Sequence, residues 1–571
     1  MSQNHRTLLL VQKMVKTPPL KALSLFNNFT LQGLEHTPQS ISFIIHHLLS
    51  SNLLTHARSL ILKLLSGQIS LPFFNPSTLL RQLTQLNSFP SSSRGYLFEA
   101  IINAHVQSRL PEDALFYFTH MVEQGLVPGS RVFNNVLSSL VKSNNFEKAW
   151  WVFSEFKDRT KLDVYSFGIM MKGCCQAGDL DRGFRFLVQL EEMGWSPNVV
   201  IYTTLIDGCC KNGDIERAKR LFFKMGEIGL VANCYTYTVL INGFFKKGLK
   251  KDGFELYEKM KGNGIVPSIH TYNSITNDYC NDGKISSAFL LFDEMRQQGV
   301  ACNDVTYGIL VGGLCRTKRV EEAEKLVNQM KGDGISPSLI TFNRLIDGFC
   351  NVGNLDKALS LFNELKSVGH SPSLVTYNVL LAGFARAQNL AGVADVVREM
   401  HERGISPCKV TYTILIDAFV RSDEMEKASQ IHSSMEKAGL VPDVYTYGVL
   451  IHGLCMKGTM KEASRLFTSM SEKHLEPSDV IYNMIIYGFC KEGNSYKALK
   501  LLKEMSKNGM VPNPASYGST IRVLCKDIKW REAELVLKEM IMSGLTPPVS
   551  IYDLISKAKE DTMLKLKSTL I

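Results

Sequence analysis

The chain has 571 residues, 45% of them hydrophobic and 21% charged, with 41 Gly and 19 Pro, a balance that excludes a disordered or collagen-like polymer. At this length one compact core is not expected, so several domains or a repeat array must be present. No apolar run suits a membrane span, because the greasiest stretch, residues 41–65, is broken by His46, His47, His56 and Arg58; no membrane partner is expected.

The net charge of +10 is unevenly placed. Residues 1–94 hold eight Lys and Arg against one acid, Glu35, whereas residues 95–571 hold 56 basic against 53 acidic side chains. Residues 1–34 carry Arg6, Lys13, Lys16 and Lys21 with no acid in a Leu/Val-rich amphipathic sequence. They read as an organelle import segment, with the Leu-rich composition and modest Ser content pointing to the mitochondrion and the chloroplast as the alternative. Residues 35–94, with helical apolar stretches such as SFIIHHLL and ARSLILKLL, are predicted to form degenerate repeats that cap an array.

The array itself declares its period. VTYGILVGGLC from Val305 recurs as ITFNRLIDGFC from Ile340, VTYNVLLAGFA from Val375, VTYTILIDAFV from Val410, YTYGVLIHGLC from Tyr445 and VIYNMIIYGFC from Val480, each 35 residues on. Thirteen units fill residues 95–548, one of them short by a residue near Arg159, and a partial unit occupies 549–571. Numbering each unit 1 to 35 from the residue after the Pro-x pair, apolar periodicity predicts one helix over places 3–14 and another over places 16–29. Gly at place 31 in eleven units and Pro at place 34 in ten close the second helix.

Helices this short are unstable alone and must stack. Ala at place 20 in ten units lets helices approach, and Met at place 27 in ten fills the seam. The predicted fold is all-α: a right-handed α-solenoid superhelix of about 13–14 helix-turn-helix repeats.

Eight of the thirteen Cys (Cys175, Cys210, Cys280, Cys315, Cys350, Cys455, Cys490, Cys525) share place 12, at the end of the first helix. Stacked helices separate these columns by roughly 10 Å, beyond disulfide reach, so they read as small buried hydrophobes. Neither Cys nor His shows metal-ligand spacing, and no phosphate loop, nucleophile elbow or deaminase motif occurs. No metal, no cofactor and no enzymatic activity are expected, and residues 549–571 are too few for a catalytic domain.

The 35-residue hairpin with its TYN/TYT opening, GxC ending the first helix, Ala in the second, Met near its end and a G-[IL]-x-P-[DNS] close resembles the pentatricopeptide repeat family, in its pure P-class branch, over about four-fifths of the chain. The resemblance implies a plant organellar protein that binds single-stranded RNA, one base per repeat, through two side chains. It implies transcript processing without catalysis: intron splicing, stabilisation or end maturation. Splicing or processing proteins are the accessory partners such a role admits, and the chain itself is expected to be a monomer. The alternative is a protein-binding scaffold like the related 34-residue tetratricopeptide arrays.

In that family places 5 and 35 face the base. Here the pairs are Asn134 with Asp163, Thr203 with Asn233, Thr238 with Ser268, Asn273 with Asn303, Asn343 with Ser373, Asn378 with Cys408, Thr413 with Asp443 and Asn483 with Asn513. The family's code gives these pairs uracil, adenine, a purine, cytosine or uracil, cytosine, a pyrimidine, guanine, and cytosine or uracil in turn. Gly168, Gly308, Gly448 and Gly518 leave gaps at place 5. The competing role for these polar residues is helix capping or turn formation.

Place 13 is basic in eight units, Lys142, Lys211, Lys246, Arg316, Arg386, Arg421, Lys491 and Lys526, and acidic in none. It reads as a phosphate track, with cations drawn to a helix C-terminus as the alternative. At place 2, Val200, Val305, Ile340, Val375, Val410 and Val480, with Tyr165, Tyr235 and Tyr445, offer surfaces for base stacking; burial against the next repeat is the competing role.

Overall fold

The computed structural model describes residues 10–32, 36–51, 53–69 and 91–568. Every regular element among them is helical, and none of these helices is long and apolar enough to cross a membrane. The chain forms two compact units, Met1–Ser274 and Ile275–Ile571. In each, the first helices of neighbouring repeats pack directly on one another, while a second helix packs on its own first helix and on the one that follows. The architecture is an α-solenoid of helical hairpins.

Residues 1–9 of the basic leader, with Arg6, lie outside the described residues, as do residues 70–90 of the expected cap. Residues 10–32 of the leader are built into the fold. Its helix Pro19–Leu31 buries Ala22 and Phe26, and Phe26 stacks on His36 with centroids 3.8 Å apart. Helices Pro38–Ser50 and Leu54–Leu65 follow, on the two apolar stretches singled out in the sequence.

Within the repeats the second helices start within a residue of their predicted position, as in Ile215–Glu227. The first helices start two residues earlier than the periodicity predicts: Val199–Lys211, Asp304–Arg316 and Leu374–Arg386 begin at place 1. The cause is the residue before them, at place 35, which caps the helix. Its side chain accepts from the backbone N–H at place 3, as Asn198 does from Ile201 (3.1 Å), and satisfies a donor that the helix cannot.

The packing columns follow from the pitch. The Ala side chains at place 20 and the Met side chains at place 27 are buried, for example Ala323, Ala358, Met330 and Met470 at 0% exposure. Tyr at place 4 is buried against the preceding second helix, where Tyr307 meets Phe292 and Tyr377 meets Phe362 edge to face at 5.4 and 5.7 Å. That anchored ring fixes the direction of its neighbour at place 5.

The place 12 thiols, all unpaired, lie in the crossing of successive first helices. A Cβ on Gly348, at place 10, would stand 2.5 Å from Cys315 Sγ, and one on Gly383 2.4 Å from Cys350 Sγ. Only glycine fits beneath the sulfur. Burial pushes the Cys315 and Cys350 thiols up to about 12, so they stay protonated at neutral pH and pack as small hydrophobes.

Gly348→Ala is therefore expected to destabilise the chain by about 1–3 kcal/mol through overpacking. Gly226→Ala, on an exposed helix surface with nothing within 4 Å of the new methyl, should stabilise it by roughly 0.5 kcal/mol. Thermal unfolding followed by circular dichroism checks both; equal shifts in the two variants would refute the thiol nest.

Candidate nucleic-acid interface

The place 35 column is a capping column in seven of the eight predicted pairs. Asp163, Asn233, Ser268, Asn303, Ser373, Asp443 and Asn513 each accept from the N–H of the residue three further on. This capping leaves capacity over. Asn233, Asn303 and Asn513 cap through Oδ1 and stand exposed, so their amide NH2 groups face outward. Asp443 caps through Oδ1 while its Oδ2 lies 3.3 Å from Lys409 Nζ. Burial works to raise the Asp443 pKa and is outweighed by hydrogen bonds from Thr446 and Lys409, which hold the carboxyl below its ordinary range.

Place 5 sits deeper, and the structure brings it to place 35 of the same repeat. Asn134 Nδ2 donates to both oxygens of Asp163 (2.9 and 3.1 Å). Asn378 Nδ2 is 3.9 Å from Cys408 Sγ, and Asn483 Oδ1 accepts from the backbone N–H of Asn513 (3.2 Å). Thr203, Thr238 and Thr413 are 3–5% exposed, with hydroxyls bonded to the carbonyls of Val199, Cys234 and Lys409. Asn273 is buried and Asn343 half-buried. Cys408 departs from the polar series, yet its thiol pKa is lowered: burial would raise it, and hydrogen bonds from Thr411, the backbone and Asn378 prevail.

What joins the two columns is a residue that pattern reading passed over. Place 3 of the following repeat is Thr or Ser wherever place 5 is Asn or Thr: Ser166, Thr236, Thr271, Thr306, Thr376, Thr411, Thr446 and Ser516. All are fully or nearly buried. In six of them, Ser166, Thr236, Thr271, Thr411, Thr446 and Ser516, the hydroxyl meets place 5 of the preceding repeat, as Thr411 Oγ1 donates to Asn378 Oδ1 (2.8 Å) and Thr446 Oγ1 pairs with Thr413 Oγ1 (2.8 Å). The hydroxyls of Thr306 and Thr376 meet Asn303 and Ser373 at place 35, and Asn273 Oδ1 and Asn343 Oδ1 are buried with no partner among the described residues. The signal was in the sequence, as a hydroxyl at a place otherwise suited to core.

Place 2 is not buried against its neighbours. Val200, Val305, Ile340, Val375, Val410 and Val480 are 54–66% exposed, and Tyr165, Tyr235 and Tyr445 are 62–75% exposed. These nine apolar or aromatic side chains point to solvent beside the polar pairs.

All eight place 13 cations are exposed. Three are partly neutralised: Lys211 by Asp207 (2.6 Å), Arg421 by Asp417 (2.6 Å) and Arg386 by Asp347 (3.8 Å). Lys142, Lys246, Arg316, Lys491 and Lys526 have no ion-pair partner among the described residues. A groove of about 520 Å³ collects all four columns, with Tyr235, Thr238, Ser268 and the ammonium groups of Lys211 and Lys246 in its wall. In the second unit Arg421, Tyr445, Gly448, Ser478 and Val480 line a groove of about 430 Å³ in the same way. No cluster of His, Cys, Asp or Glu among the described residues could hold a metal ion.

Thr446→Val keeps the shape and removes the hydroxyl shared by Thr413 and Asp443. Stability should fall by about 1–2 kcal/mol at neutral pH. The Asp443 pKa is depressed in the native chain, so its contribution is present above the unfolded pKa and vanishes as pH falls through the folded one. The gap between variant and wild type in thermal midpoint is accordingly expected to narrow on acidification through the carboxylate range; a constant gap would mean Thr446 does not act on Asp443.

Comparison with known proteins gives a consistent picture. The PPR repeat family model matches residues 128–176, 197–246, 239–281, 267–316, 309–351, 337–386, 372–421, 407–456 and 477–526, and the PPR repeat model matches 96–126, 165–195, 445–475 and 515–545. Pentatricopeptide repeat-containing protein At4g11690 of Arabidopsis thaliana is 56% identical over 203 residues, 36% of this chain and 36% of that protein. The chain thus spans about a third of that relative's length. A second Arabidopsis thaliana protein of this kind, named mitochondrial, is 27% identical over 126 residues, 22% of this chain and 32% of its own. In fold, the chain is similar to the crystal structure of pentatricopeptide repeat protein PPR10 from maize, at 21% identity, a TM-score of 0.63, and coverage of 100% of this chain and 94% of that one.

Proposed function

We propose that this chain, which belongs to the pentatricopeptide repeat family, binds single-stranded RNA sequence-specifically at one base per repeat and acts by occupying it, without catalysis. The observation that carries the reading is the row of exposed place 2 side chains, Val200 to Val480. Burying them would add stability, and capping does not require them. Stacking bases between successive members removes that apolar surface from water while the bases keep their edges free. The polar pair in each repeat then meets the base edge, and the unpaired place 13 cations meet the backbone.

The pairs differ in what they offer. Thr413 is short and tied back to Lys409 and Thr446, which leaves room for a purine; ionised Asp443 accepts from a ring N–H, which guanine and uracil present. Asn134 is longer and fixed by Asp163, which suits the smaller uracil. We assign the activity to organellar transcripts, in mitochondria with plastids as the alternative, from the acid-free leader at residues 1–34. Intron splicing, stabilisation or end maturation are the processing roles that such occupancy serves.

A gel-shift series with an RNA built from the eight pairs tests the reading. Thr413→Asn is expected to move preference at the nucleotide opposite its repeat from guanine toward uracil, changing the affinity ratio roughly five- to tenfold, the worth of one base-edge contact. An unchanged ratio would remove Thr413 from the readout, and peptide capture with no RNA binding would favour a protein scaffold. For the backbone track, five unneutralised cations at about 0.7 per single-strand contact predict a slope of log affinity against log salt of roughly −3 to −4; a slope near zero would leave them as helix-terminal charges.

A further inference from the structure

In three repeats that lack a place 5 side chain, the floor of the reading site is apolar. A Cβ on Gly168, Gly448 or Gly518 would face Ile201, Ile481 or Ile551, the place 3 residue of the following repeat, at 4.0, 3.5 and 3.6 Å. The repeat at residues 304–338 breaks this rule. Its place 5 is Gly308, but the following place 3 is Thr341, whose hydroxyl, with no place 5 partner to meet, donates to Asp304 Oδ1 (2.8 Å).

The vacated space is bounded by Thr341 Oγ1, 3.0 Å from a Cβ built on Gly308, and by place 6 of the following repeat. A Cβ on Gly308 would lie 3.3 Å from the Arg344 guanidinium nitrogen Nη1, and a Cβ on Gly312, one turn on, 3.2 Å from Arg344 Cδ. Two glycines make the bed in which this side chain lies. Arg344 is the only charged residue at place 6 in the array; elsewhere that place holds residues such as Val239, Ile309, Val379 and Met484. It makes no ion pair among the described residues, is half-buried, and has Arg316 and Asp304 as the charged side chains that act on it most strongly. Burial, then Arg316, hold its pKa below the usual arginine value. A half-buried guanidinium with no acid paired to it among the described residues keeps N–H donors that a ligand can take up.

We propose that Arg344 supplies the missing readout of this repeat, donating two parallel N–H groups to a base edge that presents two adjacent acceptors. Cytosine offers O2 and N3, and guanine offers O6 and N7; adenine and uracil alternate donor and acceptor along each edge and offer no such pair. The inference rests on the RNA-binding reading above. A phosphate presents the same paired acceptors, so the test must separate base from backbone.

Four RNAs identical except at the nucleotide opposite Gly308 are titrated against the full chain, Arg344→Lys and Arg344→Met. Wild type is expected to bind the cytosine and guanine RNAs about five- to tenfold more tightly than the other two. Both variants should lose that preference, the Lys variant included because an ammonium cannot donate in parallel. The guanine preference opposite Thr413 should persist in both, which shows the array intact. Equal weakening for all four RNAs would make Arg344 a phosphate contact and overturn the proposal, as would an unchanged preference. Absence of wild-type binding to any of the four would instead defeat the RNA-binding reading itself.

Discussion

A hydroxyl sealed between two repeats sets the geometry on which both fold and interface depend. At place 3 of a first helix, the backbone N–H is one of the donors a helix cannot satisfy from within, and the side chain above it is out of reach of water. Thr446 resolves both needs at once, with N–H and hydroxyl to Asp443 and a second hydroxyl contact to Thr413. A buried polar group left unpaired costs about 1–3 kcal/mol, so this node locks the end of one repeat to the start of the next. Side chains at places 5 and 35, far apart in the chain, are thereby held together, as Asn134 is with Asp163 and Thr413 with Asp443.

On sequence alone, capping and reading are rival explanations for the Asn, Asp and Ser at place 35. The structure makes them compatible, because each of these residues has more hydrogen-bonding capacity than a cap consumes. Asn233 spends Oδ1 on Thr236 and keeps an NH2 group; Asp443 spends Oδ1 on Thr446 and keeps on Oδ2, beside Lys409, lone pairs that the cap does not use. The cap also orients what remains, since a side chain pinned by its own backbone loses little further entropy when a ligand arrives. Electrostatics follows a similar economy. The array is nearly neutral overall, and some place 13 cations are damped by an acid one turn earlier, as Lys211 is by Asp207, so attraction to a polyanion stays moderate and base-edge contacts keep their influence.

The period, the hairpins and the buried Ala, Met and Cys columns were legible in the sequence because each is a constant residue type at a constant spacing, and constancy at this pitch means burial. The boundary of the first helix was misplaced by two residues because apolar periodicity registers the buried face, whereas the start is set by a cap that carries no periodicity. For Val305 or Val375 the sequence leaves two roles open, stacking surface or core, because an apolar residue near a helix start suits either, and the crossing of neighbouring helices decides that place 2 points to water. Arg344 was invisible as well, since its role comes from two glycines in the preceding repeat that make room for it, a relation between side chain and vacancy.

That relation is general along the array. Where place 5 is Asn or Thr the next repeat supplies Thr or Ser beneath it, and after Gly168, Gly448 and Gly518 it supplies Ile. A hydroxyl under a glycine loses its place 5 partner and must find another, as Thr341 under Gly308 does in Asp304, and an isoleucine under an asparagine would strip the amide of one. Outside the Gly308 repeat the floor and the reading side chain therefore change together, although they belong to different repeats. The unit of recognition is thus the junction between two hairpins and not the hairpin itself. A repeat moved to a new position would carry its place 5 residue with it and leave the matching hydroxyl behind, so both the stability and the chemistry of that site would be decided by the neighbour it meets.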